Sequence, residues 1–351
     1  MKRLTFSLLL LTLLLTSCSS TPTPVPTPTG PQTITVLTHD SFAIGKDVIA
    51  AFEKANNAKV AFLQSGDAGA VLNQAILTKK APLADVLFGV DNTFLSRALD
   101  ADIFETYQSP VLSDIADEYK LDPSNRALPV DYGDVCINYD KNYFAKNNLA
   151  VPQTFEDFAK PEYKDLLVVE NPATSSPGLA FLLATHEYFG DKYLDYWKGL
   201  KANGVVVVDG WETAYYTNFS ASSGKGPQPM VLSYASSPAA EVFFASPPPT
   251  ESPTASIVAS DMCFRQIEFV GILKNAKNQA LAQKFVDFML SQKFQEDMPL
   301  NMFVYPANKN AKLPDVFVKY AQVAENPAVV SYSEIAANRD AWIEAWTKAM
   351  K

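Results

Sequence analysis

Apolar positions fall in two rhythms along this chain. Short runs rich in β-branched residues, ITVLTH (34–39), KVAFLQ (59–64) and ADVLFGV (84–90), predict strands. Between them, DSFAIGKDVIAAFEKANN (40–57) and AGAVLNQAILTKK (68–80) carry helical spacing, and NTFLSRALDADIF (92–104) opens a further helix. CINYDKNYF (136–144) reads as a strand running into a turn. LLVVEN (166–171), VVVVDG (205–210), PMVLSY (229–234) and EFVGILK (268–274) read as strands. SPGLAFLLATHEYFG (176–190), SPAAEVFFAS (237–246), NQALAQKFVDFMLSQKFQEDM (278–298) and EIAANRDAWIEAWTKAMK (334–351) read as helices. Alternating strands and helices predict a mainly parallel α/β sheet covered on both faces. Two such blocks are visible, 34–130 and 135–250, and PPPTESPTAS (247–256) reads as a Pro-rich surface loop.

The first residues follow neither rhythm. Lys2 and Arg3 precede the run FSLLLLTLLL, which is too short to span a hydrocarbon core of ~30 Å and reads as an export signal over 1–17. Leu15-Thr16-Ser17-Cys18 resembles the bacterial lipoprotein box, which implies cleavage before Cys18 and lipid on its thiol. An ordinary signal cut nearby is the alternative. Residues 18–32 then form a lipidated Cys and a Thr/Pro-rich tether, extended and unable to build a core. No later segment has 18 consecutive apolar residues, so no other span is expected.

Composition narrows the function. The chain has 351 residues, 48% hydrophobic and 19% charged, which describes a folded protein whose length favours two lobes. Lys plus Arg is 29 against 38 Asp plus Glu, a formal charge of −9, which argues against nucleic acid. Two His and three Cys, with no CxxC, HExxH, GxGxxG or GxxxxGK[ST], give no cue for a metal or a nucleotide cofactor. Cys136 and Cys263 are an even pair in an exported chain; a disulfide is one reading and free buried thiols the other.

Three features could hold a ligand. Thr174-Ser175-Ser176-Pro177 and Ala235-Ser236-Ser237-Pro238 each follow an apolar strand and open a helix. Such ends present free N–H groups to anions, although plain capping explains either one alone. Trp211 follows the four-Val strand, and Tyr234 ends another, where planar ligands can stack; a core or lid role is the alternative for Trp211. Asp40, Asp67, Asp91, Asp131 and Asp134 sit at strand ends and would together make a cleft negative. Catalysis has little support: neither Ser pair lies in a GxSxG elbow, and His39 has no nucleophile signalled beside it.

Together these segments resemble the solute-binding proteins of ABC importers, and within them the thiamine-binding proteins. The matching stretches are HDSF (39–42), GDAGAVLN (66–73), ADVLFGVDN (84–92), PVDYGDVCINYDK (129–141), NPATSSPGLAFLL (171–183), VDGWETAY (208–215), VLSYASSPA (231–239), FVDFMLS (285–291), VYPAN (304–308) and NRDAWIEAW (338–346). The resemblance implies a type II periplasmic-binding-protein fold, two α/β lobes clamping thiamine or a phosphate of it. It places ligand contacts at Asp40, Asp67, Ala68, Ser175, Ser176, Trp211, Tyr234, Ala235, Ser236 and Ser237, with Tyr132, Tyr215, Phe303 and Tyr305 as further candidates. Ala240 stands where the family often carries an aromatic, and Met302, Phe303 and Val304 stand where it often has a Trp.

The expected organisation is lobe 1 at 33–132 plus 268–308 and lobe 2 at 133–267 plus 309–351. The expected partners are the ligand, the permease and ATPase of the importer, and a membrane reached through the lipid; the chain is expected to be a monomer held outside the cytoplasm, without a cofactor and without enzymatic turnover. Rival readings are a ferric clamp using Tyr215 and Tyr216, a carrier of another cationic solute, an exported hydrolase and an adhesin.

Overall fold

The computed structural model describes residues 30–221 and 225–351. The export signal, Cys18 and most of the tether lie outside the described residues, and Gln32, expected in the tether, already begins a strand.

Among the described residues ten strands make one sheet: β1 (Gln32–Thr38), β2 (Ala58–Gln64), β3 (Val86–Asp91), β4 (Leu128–Asp140), β5 (Leu167–Glu170), β6 (Val206–Val208), β7 (Met230–Tyr234), β8 (Thr254–Ile257), β9 (Phe264–Ile272) and β10 (Tyr305–Pro306). The helices are α1 (Lys46–Asn56), α2 (Ala68–Leu77), α3 (Leu95–Asp100), α4 (Lys141–Lys146), α5 (Ser176–Phe189), α6 (Tyr193–Ala202), α7 (Trp211–Thr213), α8 (Ser237–Phe243), α9 (Gln279–Leu290), α10 (Gln292–Gln295), α11 (Met298–Asn301), α12 (Asp315–Tyr320) and α13 (Tyr332–Met350).

The strand order is β2-β1-β3-β9-β4-β7-β5-β6, with β8 and β10 on β4. The outer trios β2-β1-β3 and β7-β5-β6 are parallel, as their alternation with helices requires. The centre is not: β9 runs antiparallel to β3 and β4, and β4 antiparallel to β7. Each lobe thus has the parallel strands expected of it, and the middle is antiparallel because both long strands pass from one parallel trio to the other. Thr254, Ala255 and Ser256, expected within a loop, belong to β8, an edge strand on β4.

Each trio has its own apolar packing. Phe88, Phe94, Phe104 and Phe285 are fully buried in lobe 1, and Phe155, Phe158, Phe181 and Trp197 in lobe 2. α9 buries Leu281, Ala282, Phe285, Val286, Met289 and Leu290, one stripe at helical period. The buried Trp197 indole N–H is satisfied by the Thr185 hydroxyl at 2.9 Å. α13, placed with lobe 2 from the sequence, leans on both lobes: Trp346 meets Trp197 edge-on at 5.4 Å, while the Arg339 guanidinium lies 5.9 Å over Phe94. Cys136 on β4 and Cys263 just before β9 are joined by a disulfide. Among the described residues no helix is long and apolar enough to cross a membrane.

Candidate functional site

The carboxyl ends of β1, β5, β6 and β7 converge with the crossing strands on one cleft of ≈ 310 Å³, at the small end of the roughly 300–1,000 Å³ usual for small-molecule sites. Its wall includes Asp40, Asp67, Glu212 and Glu268, and His39 is the one basic side chain among the described residues that line it. The aromatic part of the wall comes from Phe42, Trp211, Tyr215, Tyr216, Tyr234, Phe244 and Phe303.

Asp67 is the best-anchored of these acids. As N-cap of α2 it accepts the Ala68 N–H at 2.6 Å. Its other oxygen accepts the Trp211 N–H at 3.0 Å, a bond that crosses from lobe 1 to lobe 2. Burial pushes its carboxyl up, and those two N–H groups oppose the shift. Beside it the Gly69 N–H donates to the Thr174 carbonyl at 3.0 Å, a second bridge between lobes. A Cβ at Gly69 would lie 2.8 Å from that oxygen. We expect Gly69→Ala to weaken ligand affinity about tenfold, since overpacking costs about 1–3 kcal/mol, while α2 itself gains helix propensity. Titration beside a thermal melt checks this; unchanged affinity would mean that closure at this contact is irrelevant.

Trp211 opens α7 and is held on three sides. Its ring stacks on Tyr215 at 4.9 Å and 19°, its indole N–H donates to Ser233 at 2.9 Å, and Tyr216 meets it edge-on at 5.4 Å. The Tyr215 hydroxyl donates to Glu241 at 2.6 Å. Tyr234 donates to Gln266 at 3.3 Å, which in turn donates to Ser176 at 3.1 Å, tying β7, β9 and α5 together. His39 sits against β3 where only glycine fits: a Cβ on Gly89, whose φ is +97°, would stand 2.3 Å from the His39 ring. Its Nε2 lies 3.3 Å from Glu268, and Nδ1 pairs with Ser41 at 2.9 Å. Burial pushes the imidazole down, but the Glu268, Asp67 and Asp40 carboxylates together outweigh this and the net shift is up.

Asp40, Asp67, Ala68, Ser176, Trp211, Tyr215, Tyr234, Ser237 and Phe303 line the cleft. Five expected residues do not. Ser175 is fully buried as the N-cap of α5, accepting the Gly178 N–H. Ser236 donates to the Phe303 carbonyl, and Ala235 is buried beside the disulfide. Tyr132 and Tyr305 stack at 5.3 Å on the reverse face of the crossing strands, with Tyr119 beyond them at 4.6 Å. Side chains alternate along a strand, so Asp131 and Val304 face the cleft side while their neighbours Tyr132 and Tyr305 point away. Asp134 shares that reverse face and pairs with Arg265 at 2.8 Å.

Glu268, Glu212 and Phe244 line the cleft as well, beyond the residues expected there. Phe244, at the end of α8 and 68% exposed, lies 5.4 Å from Phe303 and borders the gap beside Ala240. A lone acid at the head of the apolar run EFVGILK was the available signal for Glu268.

A family model described as bacterial extracellular solute-binding protein matches residues 81–324. The thiamine-binding periplasmic protein of Escherichia coli (strain K12) is 32% identical over 321 residues, 90% of this chain and 93% of that protein. Among solved structures, a periplasmic thiamin binding protein superposes with TM-score 0.81 at 29% identity, covering 93% of this chain and 99% of that one. The ferric binding protein from Campylobacter jejuni shares the fold, with TM-score 0.72 at 19% identity over 90% of this chain and 99% of that one.

Proposed function

We propose that this chain, which belongs to the family of bacterial extracellular solute-binding proteins, captures thiamine or a thiamine phosphate and delivers it to the permease of an ABC importer. The observation that carries the reading is the pairing of aromatic faces with carboxylates around one cleft. Thiamine joins a thiazolium cation to an aminopyrimidine. A desolvated cation over Trp or Tyr gains about 2 kcal/mol. Asp40, Glu212 and Glu268 offset its charge and can accept from the amine. Ser176 and Ser237 would meet the hydroxyethyl or phosphate tail.

In this reading the chain works outside the cytoplasm, held to the membrane by lipid on Cys18 through the Thr/Pro tether. The lobes close on the ligand and present a surface to the permease; no cofactor and no turnover are involved. The ferric alternative is disfavoured by the tyrosines themselves. Tyr215 is stacked on Trp211 and bonded to Glu241, its ring lies at 84° to that of Tyr216, and burial pushes both phenols up, away from the phenolate a ferric ion needs. Calorimetric titration of the purified protein tests the proposal: a saturable one-to-one heat is expected with a thiamine compound.

A further inference from the structure

We propose that capture of a cation in this cleft expels a proton from the buried Asp131–Glu268 pair. The inference rests on the cationic ligand proposed above. Antiparallel register sets Asp131 on β4 opposite Glu268 on β9, so both side chains leave the crossing strands on one face. Glu268 borders the cleft. Asp131 is 0% exposed, and neither of its oxygens has a donor among the described residues. An ionised carboxylate without a donor is costly to bury. A protonated Asp131 that donates to Glu268 resolves this, and the two side chains are close enough to do so.

The surroundings decide the sign. His39 from the end of β1 faces Glu268 at 3.3 Å. Asp91 at the end of β3, Asp67 at the start of α2 and Tyr234 on β7 surround the pair, and Asp40 and Glu212 stand towards the cleft mouth. Arg265 pairs with Asp134 on the reverse face, where Tyr119, Tyr132 and Tyr305 also lie. Burial and then Glu268 push Asp131 well up; burial likewise pushes Asp91 up to about 7. A fixed positive charge beside Glu268 favours the ionised form of each acid and disfavours the His39 imidazolium. Every one of these changes sheds protons, so binding releases protons and affinity rises with pH. The slope reaches about tenfold per pH unit for each proton released.

The test is calorimetric. Thiamine is titrated at neutral pH into the purified protein in buffers of low and high ionisation enthalpy, and the heat difference counts protons. We expect release of about one proton on the wild-type chain. Asp131→Asn should bind with that release diminished and with a flattened pH dependence of Kd. Glu268→Gln should diminish it too, and keeps the assignment testable should the first variant fail to fold. Saturable binding with no proton released, or release undiminished in both variants, overturns this inference and leaves the proposed function standing. The absence of any saturable heat with thiamine, its monophosphate and its diphosphate overturns the proposed function and this coupling with it.

Discussion

Trp211→Ala will weaken ligand binding by about 3 kcal/mol, roughly 150-fold in Kd. The indole is the one large aromatic of the cleft whose face, N–H and backbone are all engaged: stacked on Tyr215, bonded to Ser233, and bonded through its main chain to Asp67. That fixation means the ring is already placed for a cation, so no ordering cost offsets the contact. Truncation removes the cation–π face, about 2 kcal/mol when desolvated, and uncovers apolar ligand surface as well. The Asp67 bridge uses the backbone N–H and survives, so the variant still closes. Trp211→Phe should fall between the two, keeping the stack on Tyr215 and losing the bond to Ser233. Titration of each variant, with its melt recorded alongside, checks this. A loss under about threefold for the Ala variant would place the ligand away from α7.

Removing the disulfide, by Cys136→Ala with Cys263→Ala, should lower unfolding stability by about 3–4 kcal/mol. The bond closes a loop of sequence separation 127, and long loops gain most from cross-linking because the unfolded chain loses most freedom. It also ties β4 to the start of β9, the two strands through which the lobes are connected. Both sulfurs are buried beside Ala235 and Ala324, so the double Ala variant loses little packing beyond the bond. Urea unfolding under oxidising and reducing conditions measures the difference. A change under about 1 kcal/mol would mean that the unfolded chain is already constrained there.

The positions that could be read from sequence are those where a local signal coincides with the site. Asp67 follows a strand and caps a helix, Trp211 follows four valines, and Tyr234 ends a strand before a Ser-Ser-Pro turn. Each of these lines the cleft because strand ends point there. Parity along a strand was not legible. Tyr132 and Tyr305 are one residue out of phase with Asp131 and Val304, and a shift of one turns a side chain to the other face. Ser175 and Ser236 were indistinguishable from their neighbours Ser176 and Ser237 until their bonds to Gly178 and Phe303 were in view. The antiparallel centre was hidden because β4 meets β9 across more than a hundred residues, a pairing that no local rhythm encodes. Glu268 was hidden for the same reason, since its meaning comes from Asp131 and His39 across the sheet.

The measurement that bears most directly on the whole account is calorimetric titration of the purified protein, freed of bound ligand by unfolding and refolding. Thiamine, its monophosphate, its diphosphate and ferric citrate are injected in turn. Saturable one-to-one binding of a thiamine compound is expected, with no saturable heat from ferric citrate. Heat with ferric citrate and silence with every thiamine compound would contradict it, and would move the ligand to Tyr215 and Tyr216.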